Sequence, residues 1–547
     1  PEPQKPMKYF YTGLILLLLL FANHTFAQTP KVQLSESFPE PGDGFDKLVL
    51  LPNGNTAYLH FDKKLGIVVT IYNAQHMVAA TETVTGALWD AQNLNDTEID
   101  GIYAINGQVV LFLQQLVKYK PNLYRLVLDA GTGKLVQEDK LGELPTVLHR
   151  DVAVQNNFSS HDFYVVKDAQ SDYYAVASFA GGELQRKELP EERIRVMHFS
   201  PEHKLIHSAA YYMPGSPYDY YAYLDMSVQG GERVYVATAG LSNRKGSKDS
   251  AAIVVVSSAG RGDSVFSHRT LSYTANFADV HASLQQVAGT NMLHLLLNNA
   301  GEADNSGAYM NYINAATLEL HHYKHLRKEK VSAFAQQKMK YTGPYSGQPQ
   351  LLVSHKDGSS TVLFETMSEF ASTGTNSWNK MHTNLNDIGV SHLDATGAEQ
   401  SGYALIKMQV ANGTYSPLYL HRKKKGQWIF RNRIQALNTT PYLSFEYIPT
   451  PKGTYIMFND YLQYLDPGGT YLDKRPLRYL TEANAVCYRC DDKQKERLFL
   501  FGTPETFKGY YCMLGSSDYE AANSTYVTIM ITRKGEERKA QIAWVSF

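Results

Sequence analysis

The chain has few cysteines and almost no net charge. Its 547 residues include 3 Cys, and 52 Lys and Arg stand against 53 Asp and Glu, for a formal net charge of -1. A chain without a cationic excess has no long-range field that attracts nucleic acid, so we predict no nucleic-acid partner. Three thiols are too few for a disulfide scaffold. A hydrophobic content of 44% is enough for an ordinary buried core.

Familiar catalytic motifs are also missing. The sequence contains no Gly-x-Ser-x-Gly nucleophile elbow and no His-Glu-x-x-His metal helix. Catalytic residues that are scattered along a chain and converge only in the fold leave no such motif. The sequence therefore identifies no catalytic residue and leaves open whether the chain is an enzyme.

Two segments resemble metal sites but fail on spacing. Asp96, Glu98 and Asp100 alternate as in a calcium loop, but the twelfth position is Gly107, where a bidentate Glu is required. His321 and His325 would lie ~13 Å apart along one side of a strand, too far for one ion. We expect an acidic loop at the first segment, a solvated strand edge at the second, and no metal site.

Apart from one stretch near the N-terminus, the chain lacks long hydrophobic runs. An apolar core from Gly13 to Ala22 follows a basic start, and Thr25 and Ala27 suit the small-residue positions of a signal-peptidase site. We interpret residues 1–27 as an N-terminal extension and signal peptide, and residues 28–547 as one exported domain. A membrane anchor is the alternative, but the run is shorter than the ~18 residues of a span. We predict no membrane span and a periplasmic or extracellular location.

The thiols lie close together near the C-terminus, at Cys487, Cys490 and Cys512. An oxidising compartment would allow a disulfide, but three thiols leave one unpaired and the sequence does not fix the pairing. A redox Cys-x-x-Cys motif opens a helix, whereas Cys487 and Cys490 lie in a predicted strand. We therefore interpret these cysteines as structural.

What the chain has in excess is aromatic residues and short repeated strands. Its 38 Tyr and 23 Phe favour pleated, half-buried strands. Leu48 to Phe61 and Ile102 to Leu113 each form a strand, an Asn-Gly turn and a second strand, and a second hairpin follows each. This four-strand cycle recurs about eight times at roughly 50 to 80 residues. The pattern predicts an all-β fold, a single β-propeller of seven or eight four-stranded blades, with eight preferred.

A propeller must also close its ring. We expect Val32 to Ser37 to pair with the last blade, which ends at Phe547, because closure removes open sheet edges that promote aggregation.

One turn resembles a known family. The turn Asp129-Ala-Gly-Thr-Gly-Lys134 resembles the Asp-x-x-Thr-Gly-Lys hairpin of quinoprotein-like propeller repeats, and Asp394 to Gly397 is a weaker echo. The resemblance implies the propeller fold. The Trp that follows this turn in quinoprotein repeats is missing, so we expect no quinone or other cofactor. More generally, the chain is similar to exported bacterial propeller proteins of unassigned function.

A tyrosine-rich segment is the strongest candidate for ligand contact. Tyrosines beside a Pro/Gly loop present rigid, amphipathic surface to a sugar or a peptide, and packing of an irregular interblade connection is the alternative. The residues concerned are Tyr211, Tyr212, Tyr218, Tyr220, Tyr221 and Tyr223. Arg422 to Lys425 is interpreted as a charged hairpin tip.

These features lead to one functional hypothesis and one alternative. Export, repeats and missing catalytic motifs favour a non-enzymatic extracytoplasmic propeller that binds a protein or glycan partner. The alternative is a propeller-fold carbohydrate-active hydrolase or lyase with carboxylates gathered at the central channel.

Overall fold

The computed structural model describes residues 30–547 apart from several gaps. The gaps are 43, 63–64, 95–96, 147–153, 156–157, 160, 182–192, 212, 214–215, 217, 219, 242–251, 301–305, 373–379, 425–427, 432, 437–440, 462–482, 491–494 and 506–507. The signal peptide predicted for residues 1–27 lies outside the described residues.

The described chain is built from eight antiparallel sheets of four strands, which follow one another along the sequence. First strands of neighbouring sheets contact one another, so they lie innermost, and later strands lie progressively outward. The first half of the strands is β1 (Lys31–Leu34) and β2 (Phe38–Pro39); blade 1 with β3 (Phe45–Leu50), β4 (Thr56–Asp62), β5 (Gly66–Tyr72) and β6 (Val78–Val84); blade 2 with β7 (Thr97–Ile105), β8 (Gln108–Val117), β9 (Lys120–Leu128) and β10 (Leu135–Glu143); the pair β11 (Val154–Gln155) and β12 (Phe158–Ser159); blade 3 with β13 (His161–Lys167), β14 (Tyr174–Ala180), β15 (Ile194–Phe199) and β16 (Leu205–Ala210); and blade 4 with β17 (Tyr220–Gln229), β18 (Arg233–Leu241), β19 (Ile253–Gly260) and β20 (Ser267–Leu271).

The second half completes the ring and, in its described residues, includes two short α-helices. Its strands are blade 5 with β21 (Val280–Gln286), β22 (Met292–Asn299), β23 (Gly307–Asn314) and β24 (Leu320–His325); blade 6 with β25 (Gln348–Ser354), β26 (Ser360–Ser372), β27 (Lys380–Leu393) and β28 (Glu399–Asn412); the hairpin β29 (Trp428–Arg431) and β30 (Arg433–Ala436); blade 7 with β31 (Phe445–Thr450), β32 (Gly453–Asp460), β33 (Asn484–Cys490) and β34 (Lys495–Leu498); and blade 8 with β35 (Lys508–Glu520), β36 (Thr525–Lys534) and β37 (Glu537–Ser546). The α-helices are α1 (Glu329–Met339) and α2 (Tyr419–Lys424). The protein is thus an eight-bladed β-propeller, and the all-β prediction is confirmed.

The hydrophobic core is divided among the blade interfaces. Eight buried clusters lie one between each pair of neighbouring blades, including one between blades 8 and 1. Strands in the middle of a sheet are covered on both faces, and Ile253–Gly260 is buried at every position. Outer strands have a free edge, and Leu320–His325 is mostly exposed. This difference explains why inner strands have continuous apolar runs and outer strands are polar.

Ring closure joins the two ends of the described chain. β1 pairs with β37 and becomes the fourth strand of blade 8. Ser35 extends the pairing, because its N–H donates to the carbonyl of Ile542 at 2.9 Å and its Oγ accepts the Ile542 N–H at 2.9 Å. The prediction that residues near Val32 close the ring is confirmed.

The turn between the third and fourth strands of several blades begins with an acceptor side chain. Asp129 Oδ1 accepts the Thr132 N–H at 2.8 Å and its hydroxyl at 2.7 Å, and Asp394 makes the same pair of bonds with Thr396. These bonds fix the turn locally and hold the pKa of Asp394 down, to about 2. The quinoprotein-like motif is therefore a turn signature, and the fold it implied is confirmed.

The charged segment after blade 6 was assigned incorrectly from sequence. Arg422–Lys424 belongs to α2, whereas a hairpin tip was predicted. Arg and Lys are good helix formers, and the preceding Tyr419 and Leu420 are buried, at 5% and 1% exposure. Burial of these two side chains anchors the helix, and the sequence alone did not show where they pack.

Ring closure makes a testable prediction. A chain that lacks residues 1–36 should melt several degrees lower and aggregate, because β37 loses its partner and exposes an edge. A chain that lacks only residues 1–29 keeps β1 and should melt like the full chain. Scanning calorimetry and light scattering measure both effects, and equal melting temperatures would contradict closure by β1.

Candidate functional site

The innermost strands carry a set of acidic side chains around the propeller axis. Six of the eight blades contribute at least one, and we call one acid from each of these blades the axial carboxylates. They are Asp46, Asp100, Asp162, Asp225, Glu446 and Asp518. In blades 1, 3 and 7 the acid is the second residue of the strand and follows Phe or His. This repeated pair, Phe or His followed by an acid, is visible in the sequence, but it was not used to predict the site.

Some axial carboxylates join neighbouring blades. Asp225 of blade 4 accepts the N–H of Leu284 in blade 5 at 2.6 Å, and Asp518 of blade 8 accepts the N–H of Leu50 in blade 1 at 2.8 Å. A buried backbone N–H needs such an acceptor. These two acids therefore satisfy the backbone at blade interfaces.

Asp46 lies in a polar cluster within blade 1. Its Oδ1 accepts the hydroxyl of Tyr58 at 2.6 Å and lies 2.8 Å from Nδ1 of His60. The hydrogen bond to Asp46 raises the pKa of His60 against the opposing effect of burial, and burial together with Asp46 raises the pKa of Tyr58. Asp46 is 3% exposed, so its partners are internal.

The connection between blades 6 and 7 crosses the axial region. We call α2 together with the β29–β30 hairpin the strap. Its α2 contacts β25, and its hairpin pairs with β7 and contacts β3. His421 of α2 lies with Nε2 2.9 Å from Asp225 Oδ2. The strap therefore reaches the innermost strands of blades 1, 2, 4 and 6.

A buried ion pair anchors the strap to blade 6. Lys407 Nζ lies 2.6 Å from Glu365 Oε1, and both side chains are fully buried. The second Glu365 oxygen accepts the hydroxyl of Tyr419 in α2 at 2.8 Å. Lys407 also donates to Ser444 Oγ at 2.8 Å, at the start of blade 7. Each charge thus has a counter-charge and further hydrogen bonds, as burial requires.

Asp100 differs from the other axial carboxylates. It is 6% exposed, and its Oδ2 has no hydrogen-bond partner among the described residues. Burial, with smaller contributions from Asp162 and Glu98, raises the pKa of Asp100 well above its usual range. These effects favour the protonated acid, a group that can donate a proton.

Tyr103 lies near this acid, and Tyr223 and Tyr164 lie next to one another near Tyr103. Tyr164 and Tyr223 stack with ring centroids 3.7 Å apart, and the hydroxyl of Tyr103 donates to the Val165 carbonyl at 3.1 Å. Asp100, after burial, contributes to the raised pKa of Tyr103. Tyr103 and Tyr164 were absent from the sequence-based candidates because they lie in regular strands of other blades.

The tyrosine-rich segment packs largely inside the protein. Tyr211, Tyr220, Tyr221 and Tyr223 are between 1% and 6% exposed, and Tyr218 is half-buried. The hydroxyl of Tyr211 bonds to Thr238 Oγ1 at 2.6 Å and that of Tyr221 to Ser216 Oγ at 2.6 Å. The structure brings Tyr211 and Tyr221 into edge contact at 5.5 Å.

Tyr212 lies outside the described residues. Ligand contact by these tyrosines stays a prediction.

The described residues of both segments considered for metals lie in strands, and Asp96 lies outside the described residues. Glu98 and Asp100 lie in β7, in place of the acidic loop that was expected. The β24 strand carries His321 and His325 on an exposed edge, as predicted. Within the described ranges, no group of three or more His, Cys, Asp or Glu side chains is arranged to hold a metal ion.

The three cysteines are buried. Cys487 packs between blades 7 and 8, and Cys490 packs between blades 6 and 7, because residues three apart on a strand point to opposite faces. Burial raises the pKa of the Cys487 and Cys512 thiols, which suppresses the reactive thiolate.

No family model and no curated protein matches the chain. Solved structures resemble it at low identity. A prolyl endopeptidase matches with a TM-score of 0.30 and 10% identity over 84% of this chain, which spans 60% of that protein. The polysaccharide lyase Uly1 matches with a TM-score of 0.35 and 7% identity, over 82% of this chain and 89% of the lyase.

A quinohemoprotein alcohol dehydrogenase from Comamonas testosteroni matches with a TM-score of 0.33 and 9% identity, over 82% of this chain and 75% of the dehydrogenase. At these identities the likeness concerns the fold alone. Separately, the described residues include no helix that is long and apolar enough to span a bilayer.

The anchor of the strap can be tested. Glu365→Gln leaves the Lys407 ammonium buried without a counter-charge, and should lower the free energy of unfolding by about 3–5 kcal/mol. The double variant Glu365→Leu/Lys407→Met removes both charges and should recover much of that loss. Glu143→Gln, which breaks exposed ion pairs with Lys120 and Lys140, is the control and should change nothing measurable. Denaturant midpoints give the comparison, and a wild-type midpoint for Glu365→Gln would contradict it.

The thiols give a second test. In the native protein, a disulfide-exchange reagent such as Ellman's should react with the cysteines very slowly, because they are buried. After unfolding in denaturant without reductant, all 3 cysteines should react. Only one reactive thiol in the unfolded protein would show that a disulfide forms.

Proposed function

We propose that this chain is an exported propeller, cleaved after Ala27, that binds a protein or glycan partner outside the cytoplasm without transforming it. The observation that carries the proposal is the strap. A segment of the chain itself lies across the axial region and contacts the innermost strands of several blades. That region is where the alternative, a hydrolase or lyase, would need open carboxylates.

The chemistry of the axial carboxylates supports binding over hydrolysis. Glycoside hydrolysis uses two carboxyl groups that flank the scissile bond, one as acid and the other as base or nucleophile. Asp225 is bonded to Leu284 and His421, Asp46 to Tyr58 and His60. Both bonds of Asp46 end on Oδ1 and both bonds of Asp225 end on Oδ2, so one oxygen of each acid is already held by the protein itself.

One observation favours the second candidate function. Asp100 combines a raised pKa with an unpartnered oxygen and lies near Asp162 and Glu98. A protonated acid beside an ionised one is the pairing that acid-base catalysis on carbohydrate uses. If the chain is an enzyme, we expect Asp100 to be its proton donor.

A turnover assay distinguishes the binding function from the enzymatic one. The mature chain is incubated with neutral and acidic oligosaccharides, new reducing ends and unsaturated products are measured, and binding is recorded by calorimetry. We expect no products with the wild type, and unchanged binding in Asp100→Asn, which preserves shape without an acidic proton. Asp357→Asn, in an exposed turn, is the matched control. Products that are lost in Asp100→Asn and kept in Asp357→Asn would overturn the proposal in favour of the enzyme.

A further inference from the structure

A cleft between the outer parts of blades 5 and 6 lies apart from the axial region. One wall is the end of β24 and the start of α1, Lys324 to Lys330, and the other is the last hairpin of blade 6, including Ser391, Gly397 and Glu399. Its volume is about 480 Å³. Pockets of ~300–1,000 Å³ are typical of sites for small ligands.

The cleft concentrates positive charge in a chain that is almost neutral overall. Lys324, Arg327, Lys328 and Lys330 all line it. Within the described part of the chain, Lys324, Arg327 and Lys330 form no ion pair. Glu329 and Glu399 also line the cleft, so its four Lys and Arg side chains exceed its carboxylates by two.

The Glu399 carboxylate on the opposite wall already accepts two hydrogen bonds. Glu399 Oε1 accepts the hydroxyl of Ser391 at 2.7 Å, and Oε2 accepts the backbone N–H of Lys330 at 2.8 Å. Lys328 is held separately, because its Nζ donates to the carbonyl of Gly347 at 2.9 Å. Burial lowers the pKa of Lys328, to about 8. An anion entering the cleft would meet cations whose charge no salt bridge neutralises.

The walls of the cleft are held in place before any ligand binds. His325 stacks on Tyr309 at 4.9 Å between ring centroids. Gly397 approaches β24 so closely that a Cβ at this position would lie 3.2 Å from Lys324 Cβ. A preformed cleft loses little entropy on binding.

The residues around the cations suit a sugar. The cations lie beside polar groups that can bond to hydroxyls, as recognition of a charged, hydroxyl-rich ligand requires. Glu329 adds a carboxylate that can accept sugar hydroxyls. A folded protein partner needs about 800 Å² of its surface buried, more than a cleft of this size offers.

We propose that this cleft binds an acidic oligosaccharide, with the uronate or sulfate groups of the sugar held by Lys324, Arg327 and Lys330. The inference rests on the proposed binding function and names its ligand class. It assigns the site to blades 5 and 6, away from the strap and from Asp100.

The experiment measures binding of named probes to the mature full chain by calorimetry. The probes are a heparin-derived tetrasaccharide, a tetragalacturonate, an uncharged cello-tetrasaccharide and a hexaglutamate peptide. We expect the acidic sugars to bind, the neutral sugar to bind at least tenfold more weakly, and affinity to fall as salt increases. Arg327→Ala/Lys330→Ala should weaken binding of the acidic sugars at least tenfold. Lys204→Ala/Arg261→Ala removes the same charge from exposed positions on blades 3 and 4 and should change affinity less than twofold.

Protection of lysine amines from acylation provides a second readout. It uses the wild type and so does not depend on how well a variant folds. Bound tetrasaccharide should slow acylation of the Lys324 and Lys330 amines, measured by mass spectrometry. Equal binding by both double variants, or no protection of these amines, would overturn the site. Tight binding of hexaglutamate with no binding of either acidic sugar would overturn the ligand class. Failure of the binding function itself has a different signature, which is product formation that depends on Asp100.

Discussion

The structure depends on closure of the ring. Each blade buries a hydrophobic face against each neighbour, and the eight clusters form only when blade 8 also meets blade 1. The N-terminal β1 supplies the outer strand of blade 8, so the last blade is complete only when both ends of the chain are in place. Without closure, two blades would expose apolar faces and β37 would expose an edge. Polar side chains reinforce each interface, as Asp225 and Asp518 do by accepting backbone N–H groups of the next blade.

Ring closure also determines which side chains meet at the propeller axis. Eight innermost strands converge there and bring acidic residues from distant parts of the sequence into one region. The strap lies across that region. Its His421 bonds to Asp225, and its Tyr419 bonds to Glu365. Most of these polar groups thus stabilise the fold. Asp100 is the exception, and its raised pKa is the reason why an enzymatic role is kept as the second candidate.

The sequence predicted features that repeat or that depend on neighbouring residues. The strand and turn periodicity predicted the propeller, its eight blades and the closing strand, because each blade repeats one local pattern. Asp129 predicted a turn because its bonds reach only three residues ahead. The strap was missed because Tyr419 and His421 find their partners in blades 6 and 4. The cleft was missed for a similar reason: Lys324 to Lys330 are contiguous, but the wall that encloses them comes from Ser391 to Glu399.

We propose that ligand binds at the outer cleft and that the axial groups are structural. Hydrogen exchange with a bound heparin-derived tetrasaccharide distinguishes the two places directly. Amide protection should increase in peptides that cover residues 320–330 and 391–399, and should stay unchanged in those that cover α2, β7 and β17. Protection confined to α2, β7 and β17 would contradict the account, because the ligand would then bind at the axis beside Asp100.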